Sequence, residues 1–113
     1  PKVATHPIER KAHTAFMQRI NTEFAGCLGD VAVAEAGYAF ENLIAAHPEI
    51  NPYHEDNRHP CLAGTYLVAC VLYSTIFGES TKGIPYTAEL SCADKLKAIA
   101  DATVLEGLVP DLS

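Results

Sequence analysis

The sequence predicts an α/β fold that is mostly helical within these residues and contains one short buried strand. Three stretches carry this prediction: an amphipathic helix over 8–25, a run of small apolar residues over 31–36, and a long apolar helix over 60–77. Helix, turn and strand in this order form half of a right-handed βαβ unit, whose other strand would precede the first residue. One domain is expected, because 113 residues are the size of a single domain.

The first predicted helix rests on apolar residues that recur at three- and four-residue spacing, with charged and amide side chains between them. Pro7 precedes it and Gly26 follows it, and both residue types are typical of those positions. The pattern indicates an amphipathic helix. Its apolar positions are Ile8, Ala12, Ala15, Phe16, Ile20 and Phe24.

The predicted strand covers Val31-Ala32-Val33-Ala34-Glu35-Ala36 and is followed by Gly37, which ends it. Its small and nearly continuous apolar side chains are typical of a strand buried between helices. A short helix is expected over 38–46. In α/β proteins, functional sites form where strands end, so this region should lie near the site.

Two more helices are expected after the loop over 47–60. The helix over 60–77 is apolar around most of its circumference and should be largely buried. Gly64 should allow a neighbouring element to approach closely, and Gly78 fits the position that ends the helix. The last helix should run over 87–105, with Thr87 as its N-cap.

The loop over 47–60 carries Asp56 and His59, three residues apart, directly before the long apolar helix. Pro60 favours an extended His59 at or just before the helix start. A turn can bring the Asp56 carboxylate against one imidazole nitrogen, which leaves the other nitrogen to accept a proton. Such a pair activates a serine or cysteine nucleophile in acyl transfer. The plainer interpretation is that Asp56 caps a turn and His59 is a solvated loop residue.

A longer pattern surrounds this pair. Its residues are Asp56-Asn57-Arg58-His59-Pro60, Gly64-Thr65-Tyr66-Leu67, Ala69-Cys70-Val71-Leu72-Tyr73 and Phe77-Gly78. The run resembles the last conserved block of the SGNH (GDSL-like) hydrolases, most closely the bacterial branch with D-x-x-H-P-x-x-x-G-x-Y-L-x-A. The resemblance is strong over 53–78 and loose over about 30–104. It implies the C-terminal portion of a flavodoxin-like three-layer domain, in which Asp56 is the orienting carboxylate and His59 the general base of a Ser-His-Asp triad.

The chain departs from that family at several points. Cys61 stands where such proteins often have serine, and neither the Gly-Asp-Ser nucleophile segment nor the Gly-x-Asn oxyanion segment is found. Gly78-Glu79-Ser80 follows the Asp-x-x-His block instead of preceding it, so it is interpreted as a helix stop and a turn. The resemblance therefore implies a serine esterase whose serine and oxyanion residues lie in a missing N-terminal segment or in a second chain.

The resemblance and the composition together set the expected partners. An ester substrate is expected, with an acylated carbohydrate favoured, and no cofactor or metal. The net charge of -6 and the absence of a Lys/Arg cluster argue against nucleic acid. The apolar stretch over 61–77 is short and contains polar residues, so no membrane span is expected. A truncated α/β domain would self-associate. The sequence does not determine the compartment, and a secreted or periplasmic parent protein is one option.

Three alternatives remain open at this point. The chain could be a non-catalytic binding or structural module, as the missing nucleophile suggests. His54, Asp56 and His59 could be metal ligands, because imidazole and carboxylate groups suit zinc. Cys61 could be a nucleophile for His59. Cys70, in contrast, is expected to be a small core residue.

Overall fold

Helices make up all the regular secondary structure in the computed structural model, which describes residues 7–29, 32–55 and 59–113. They are α1 (Pro7–Leu28), α2 (Ala36–Ala46), α3 (Leu62–Phe77) and α4 (Ala93–Val104). No strand or sheet occurs within these ranges, so the predicted α/β, flavodoxin-like three-layer fold is wrong for the described chain.

The predicted strand over 31–36 is not formed in the part of it that the structure describes. Residues 32–35 have no regular secondary structure, and Ala36 already belongs to α2. A strand needs a second strand to pair with its backbone N–H and C=O groups. Within the described ranges the only β-pairing is one isolated antiparallel bridge, between Tyr53 and Pro60. The Val/Ala pattern indicates that the side chains are suited to a buried strand, but it carries no information on whether a second strand is present to pair with this segment.

Helices α2, α3 and α4 surround one apolar core. Leu43, Leu67 and Leu96, one from each helix, are completely buried. Full burial of such a side chain contributes about 1.5–3 kcal/mol, so this cluster supplies much of the stability. The buried cluster comprises Ala39, Phe40, Leu43, Tyr66, Leu67, Cys70, Val71, Ala93, Leu96, Ile99 and Ala100.

Helix α3 is the most apolar of the four helices, but it buries one side only. Tyr66, Leu67, Cys70 and Val71 face the core, as Cys70 was expected to do. Leu72 and Ile76, on the opposite side, are exposed, and so are Leu62 and Phe77 at the two ends of the helix. The expectation of a largely buried helix was therefore half right. No helix among the described residues is long and apolar enough to cross a membrane, in agreement with the sequence.

Two glycines of α3 serve as the sequence predicted. Gly78 takes a left-handed conformation, φ 65°, and its N–H donates to the Ser74 carbonyl at 2.8 Å, which ends the helix. Gly64 faces the Pro52 carbonyl so closely that a Cβ atom there would overlap it. The segment before α3 can therefore lie directly on the helix only because residue 64 lacks a side chain.

Helix α4 begins later than the sequence indicated. Ala88 and Glu89 adopt positive φ angles of 52° and 59°, which a right-handed helix excludes. Cys92 occupies the N-cap position, so Thr87 is not the N-cap. Thr87 instead accepts a backbone hydrogen bond from Leu90 in a turn.

Helix α1 forms as predicted but does not bury its apolar residues. Phe16, Ile20 and Phe24 are exposed, Phe24 to 65%. Among the residues of this helix whose burial is described, Arg10 and Ala25 are buried. The amphipathic pattern predicted a helix correctly, yet the side turned towards α2 is largely polar.

Candidate functional site

The loop that carries the predicted site residues is closed at its base. Tyr53 and Pro60 form the antiparallel bridge, flanked by two backbone hydrogen bonds. The His54 N–H donates to the His59 carbonyl at 2.7 Å, and the Cys61 N–H donates to the Pro52 carbonyl at 3.0 Å. We call residues 52–54 and 59–61 the hairpin neck. Because both ends of the loop are tied together, the loop leaves the core from one fixed place.

His59 lies in this neck, exposed to solvent and three residues before the first residue of α3. That position agrees with the sequence, which placed it at or just before the helix start. Asp56 lies outside the described residues, so its predicted pairing with His59 stays a prediction. What the structure fixes is the backbone of His59, through its carbonyl bond to His54.

The neck rests on the apolar core. The Tyr53 ring meets the Phe40 ring edge to face, with centroids 5.4 Å apart. Burial raises the pKa of the Tyr53 phenol, and the Glu41 carboxylate raises it further, so this ring stays neutral. Pro52 is buried against Gly64 of α3. A loop anchored in this way holds a side chain in place better than a free loop does.

The metal alternative gains no support from the described geometry. His54 and His59 are opposite each other in the hairpin neck, and both are exposed. No group of three potential metal ligands is found among the described residues. Asp56, the third proposed ligand, falls in the part that is not described.

The nucleophile alternatives can be judged from their hydrogen bonds. The Cys61 thiol donates to the Asn51 carbonyl at 3.2 Å, a contact that activates no nucleophile. Ser74 is buried and donates to the Glu79 carbonyl at 2.7 Å. Ser80 donates to the Asp101 carboxylate at 2.5 Å and accepts a hydrogen bond from the Lys82 N–H, a local bond that fits its interpretation as part of a turn. These three side chains serve local structure.

A pocket that the sequence did not predict lies along α3, at the border between its buried and exposed sides. Its second wall is the segment over 84–88, and it encloses a volume of about 370 Å³. We call this the α3 pocket. Its lining is almost entirely apolar and consists of Leu62, Thr65, Tyr66, Ala69, Cys70, Tyr73, Ile84, Tyr86 and Ala88. The spacing of apolar residues on α3 predicts an apolar face, but no sequence pattern predicts that the segment over 84–88 lies against it.

Polar contacts fix the second wall of the α3 pocket. The Tyr66 hydroxyl donates to the Tyr86 carbonyl at 2.6 Å, and the buried Lys97 ammonium donates to the Ile84 carbonyl at 2.5 Å. Upstream, the backbone N–H and the hydroxyl of Thr81 both donate to Asp101, each at 2.9 Å. The segment is therefore attached to the core at three successive points.

The floor of the α3 pocket carries no charge at neutral pH. Burial raises the pKa of the Cys70 thiol above its ordinary value, which keeps it protonated. Burial likewise raises the pKa of the Tyr66 phenol, and the neighbouring Cys70 adds to that effect. A neutral thiol is a poor nucleophile, so Cys70 is part of an apolar surface and not a reactive group.

Comparison with protein-family models, with curated proteins and with solved structures finds no match to this chain. The resemblance of residues 53–78 to SGNH hydrolases therefore stays a prediction from the residues themselves. Function has to be inferred from what the hairpin neck and the α3 pocket can do.

Proposed function

We propose that this chain supplies the orienting carboxylate, Asp56, and the general base, His59, of a serine ester hydrolase. The observation that carries the proposal is the position of His59, exposed on a closed hairpin neck that is fixed to the core. A general base needs both a fixed position and access to substrate. The proposal draws its chemistry from the resemblance over residues 53–78 and does not require an α/β fold in the described chain.

The chemistry assigns a separate role to each residue. His59 accepts the proton of a serine hydroxyl as the serine oxygen attacks the ester carbonyl, and the imidazolium then protonates the departing alkoxide. In the second half, His59 takes a proton from the water that attacks the acyl-serine, and returns it to the serine as the acid leaves. Asp56 holds the imidazole tautomer and stabilises the imidazolium. The serine and the oxyanion donors lie outside these residues.

The anchoring of the neck supports this assignment. Misplacing a catalytic group by about an ångström can cost roughly 100-fold in rate, so a base must be attached to something rigid. Here the Tyr53–Phe40 contact and the close approach of Pro52 to Gly64 attach the neck to the core. Pro52 and Tyr53 precede the loop that carries Asp56 and Gly64 follows it, so the Pro52–Gly64 approach joins its two ends.

The test is the hydrolysis of a p-nitrophenyl ester by the natural protein, together with any chain that copurifies with it. We expect His59→Ala to lower kcat/KM at least about 100-fold, the usual contribution of a general base. His54→Ala is the matched control, because His54 is exposed and lies opposite His59 in the same neck. It should change kcat/KM by less than about threefold. Labelling by a fluorophosphonate should identify the serine.

A second candidate is a non-catalytic binding or structural module. The exposed apolar side of α1 favours it, because a row of exposed apolar side chains offers area for contact with a partner. If His59→Ala and the wild type hydrolyse the ester equally, or if no serine is labelled, the catalytic proposal fails and this module is the better explanation.

A further inference from the structure

The α3 pocket begins at Leu62, the first residue of α3, and its apolar lining defines a class of ligand. We propose that it binds a medium-length aliphatic chain and that, in the ester hydrolase proposed above, it takes the acyl chain of the substrate. The second part rests on the proposed function, whereas the first part does not. The substrate class is then an ester of an aliphatic acid.

The lining selects an aliphatic chain over a sugar. A sugar ring needs hydrogen-bond partners for its hydroxyls, because an unpaired polar group loses free energy when it leaves water. The polar groups of the α3 pocket are largely occupied: Tyr66 donates to the Tyr86 carbonyl, and Tyr73 donates to the Glu79 carboxylate at 3.2 Å. An acylated carbohydrate, the substrate favoured from sequence, would therefore be held here by its acyl group and not by its sugar.

The pocket exists before any ligand binds. Its second wall is held by the bonds to Tyr66 and Lys97, so little conformational entropy is left to lose on binding. Ala88 lines the pocket with a left-handed backbone, and Glu89 repeats it. Two adjacent non-glycine residues in that conformation are strained, and such strain is concentrated at ligand clamps. The volume of about 370 Å³ lies within the usual range of small-molecule sites.

The position of the pocket gives the ligand a direction. Leu62, at one end, is three residues from His59, so their Cα atoms are at most about 11 Å apart. Tyr73, at the other end, lies about 16 Å further along the helix at 1.5 Å per residue. The Glu79 carboxylate at the Tyr73 hydroxyl disfavours a negative head group there. The reactive end of the ligand should therefore lie near Leu62, with the aliphatic chain directed towards Tyr73.

The α1 surface does not offer the same site. Phe16, Ile20 and Phe24 form an exposed row on a single helix, and the clefts found beside α1 are smaller, at about 170–270 Å³. The cleft between α1 and α2 is lined partly by polar side chains, including His13, Gln18 and Asn21. An aliphatic chain would bury more of its surface in the α3 pocket.

The experiment is isothermal titration calorimetry of hexanoate, octanoate and decanoate into the natural protein. We expect one site, and affinity that rises by up to about fourfold for each added methylene. Ala69→Trp places an indole in the pocket from an exposed position on α3, and it should weaken decanoate binding at least tenfold. Ala98→Trp, at an exposed position on α4, is the matched control and should change it less than twofold.

Each outcome bears on one proposal separately. If decanoate does not bind, or binds Ala69→Trp as it binds the wild type, the pocket proposal is overturned. If light scattering shows a dimer that Ala69→Trp converts to a monomer, the occupant is a second copy and the proposal is also overturned. Decanoate binding without ester hydrolysis would support the pocket while the catalytic proposal fails. If the rate of ester hydrolysis depends neither on acyl length nor on Ala69→Trp, the catalytic proposal is supported and the assignment of the pocket to the acyl chain is overturned.

Discussion

Helices α1 and α3 both present apolar side chains to solvent, but they are attached to the molecule in different ways. Helix α3 buries Leu67 and Val71 completely and carries the hairpin neck at its start. Helix α1 buries an arginine: the Arg10 guanidinium donates two hydrogen bonds to the Glu41 carboxylate, at 2.7 and 3.1 Å. One helix is held by apolar packing and the other largely by an ion pair.

This difference separates the part of the chain that can position a ligand from the part that cannot. Buried ion pairs contribute little net stability, because removing two charges from water offsets their attraction. Apolar burial has no such penalty. The neck and the α3 pocket both belong to the unit formed by α2, α3 and α4, so a function located there does not depend on α1 staying in place.

The sharpest contrast is expected from the same substitution made in both helices. Leu67→Ala, in the core, should lower the free energy of unfolding by about 3–5 kcal/mol. Leu28→Ala removes a side chain that is 57% exposed on α1, and should cost less than about 1 kcal/mol. Urea denaturation followed by circular dichroism measures both. Equal losses would show that α1 belongs to the same packed core.

The ion pair of α1 can be tested by removing one partner and then both. Arg10→Met leaves the Glu41 carboxylate, which is only 3% exposed, without its guanidinium and should cost about 3 kcal/mol. Arg10→Met combined with Glu41→Leu should recover most of that loss, because the buried carboxylate is removed together with the guanidinium that pairs with it. Thermal denaturation of the three proteins gives the comparison. If the double variant did not regain this stability, the Arg10 and Glu41 side chains would contribute through packing as well as through their ion pair.

A glycine substitution sharpens the comparison at the neck. Gly64→Ala forces a Cβ atom into the Pro52 carbonyl and should destabilise the protein by about 2 kcal/mol, with the neck displaced. Gly26→Ala, in the open on α1, should stabilise it by up to about 1 kcal/mol, because alanine is the better helix former. Chemical denaturation gives the energies, and the amide NMR shifts of residues 52–54 report the neck. If Gly64→Ala changed neither the free energy of unfolding nor these amide shifts, the close approach of the Pro52 carbonyl to Gly64 would be contradicted.

The smallest expected effect concerns the loop that leads to the α3 pocket, and it depends on pH. Burial raises the pKa of Asp101, but the hydrogen bonds from Ser80 and Thr81 outweigh burial, so the net pKa lies below the ordinary 3.8. The stability that the ionised Asp101 carboxylate contributes to the folded state is therefore present above about pH 4, and it is lost as the pH falls further. Asp101→Asn should cost about 1–2 kcal/mol at pH 7 and less at pH 3. Asp94→Asn, at an exposed position, is the control. If Asp101→Asn lowered the stability by the same amount at pH 3 and pH 7, the stabilising role of the ionised Asp101 carboxylate would be contradicted.

Sequence reasoning predicted the elements whose causes are local. The spacing of apolar residues located α1 and α3, and the conformational needs of Gly64 and Gly78 were visible from their positions. The place of His59 before α3 followed from Pro60. The helix positions, Gly78 and His59 depend on neighbours within a few residues, whereas the need for glycine at residue 64 comes from Pro52, twelve residues away.

The errors concern interactions between distant parts of the chain. The strand over 31–36 was predicted from side-chain character, although no described segment pairs with it. The buried polar side of α1 depends on Glu41, 31 residues from Arg10. Ala88, which lines the α3 pocket, and the adjacent Glu89 both have left-handed backbones. Alanine and glutamate rarely adopt this conformation, so the sequence gives no indication of it. None of these partners is visible in local periodicity.

Native-state hydrogen exchange tests most directly whether α2, α3 and α4 form a stable unit that holds the neck without α1. The amides of α3 and α4, and those of His54 and Cys61 in the neck, should exchange only through global unfolding. The amides of α1 should exchange through a local opening, at a free energy at least about 2 kcal/mol lower. Equal protection of α1 and α3, or a neck that opens together with α1, would contradict the account.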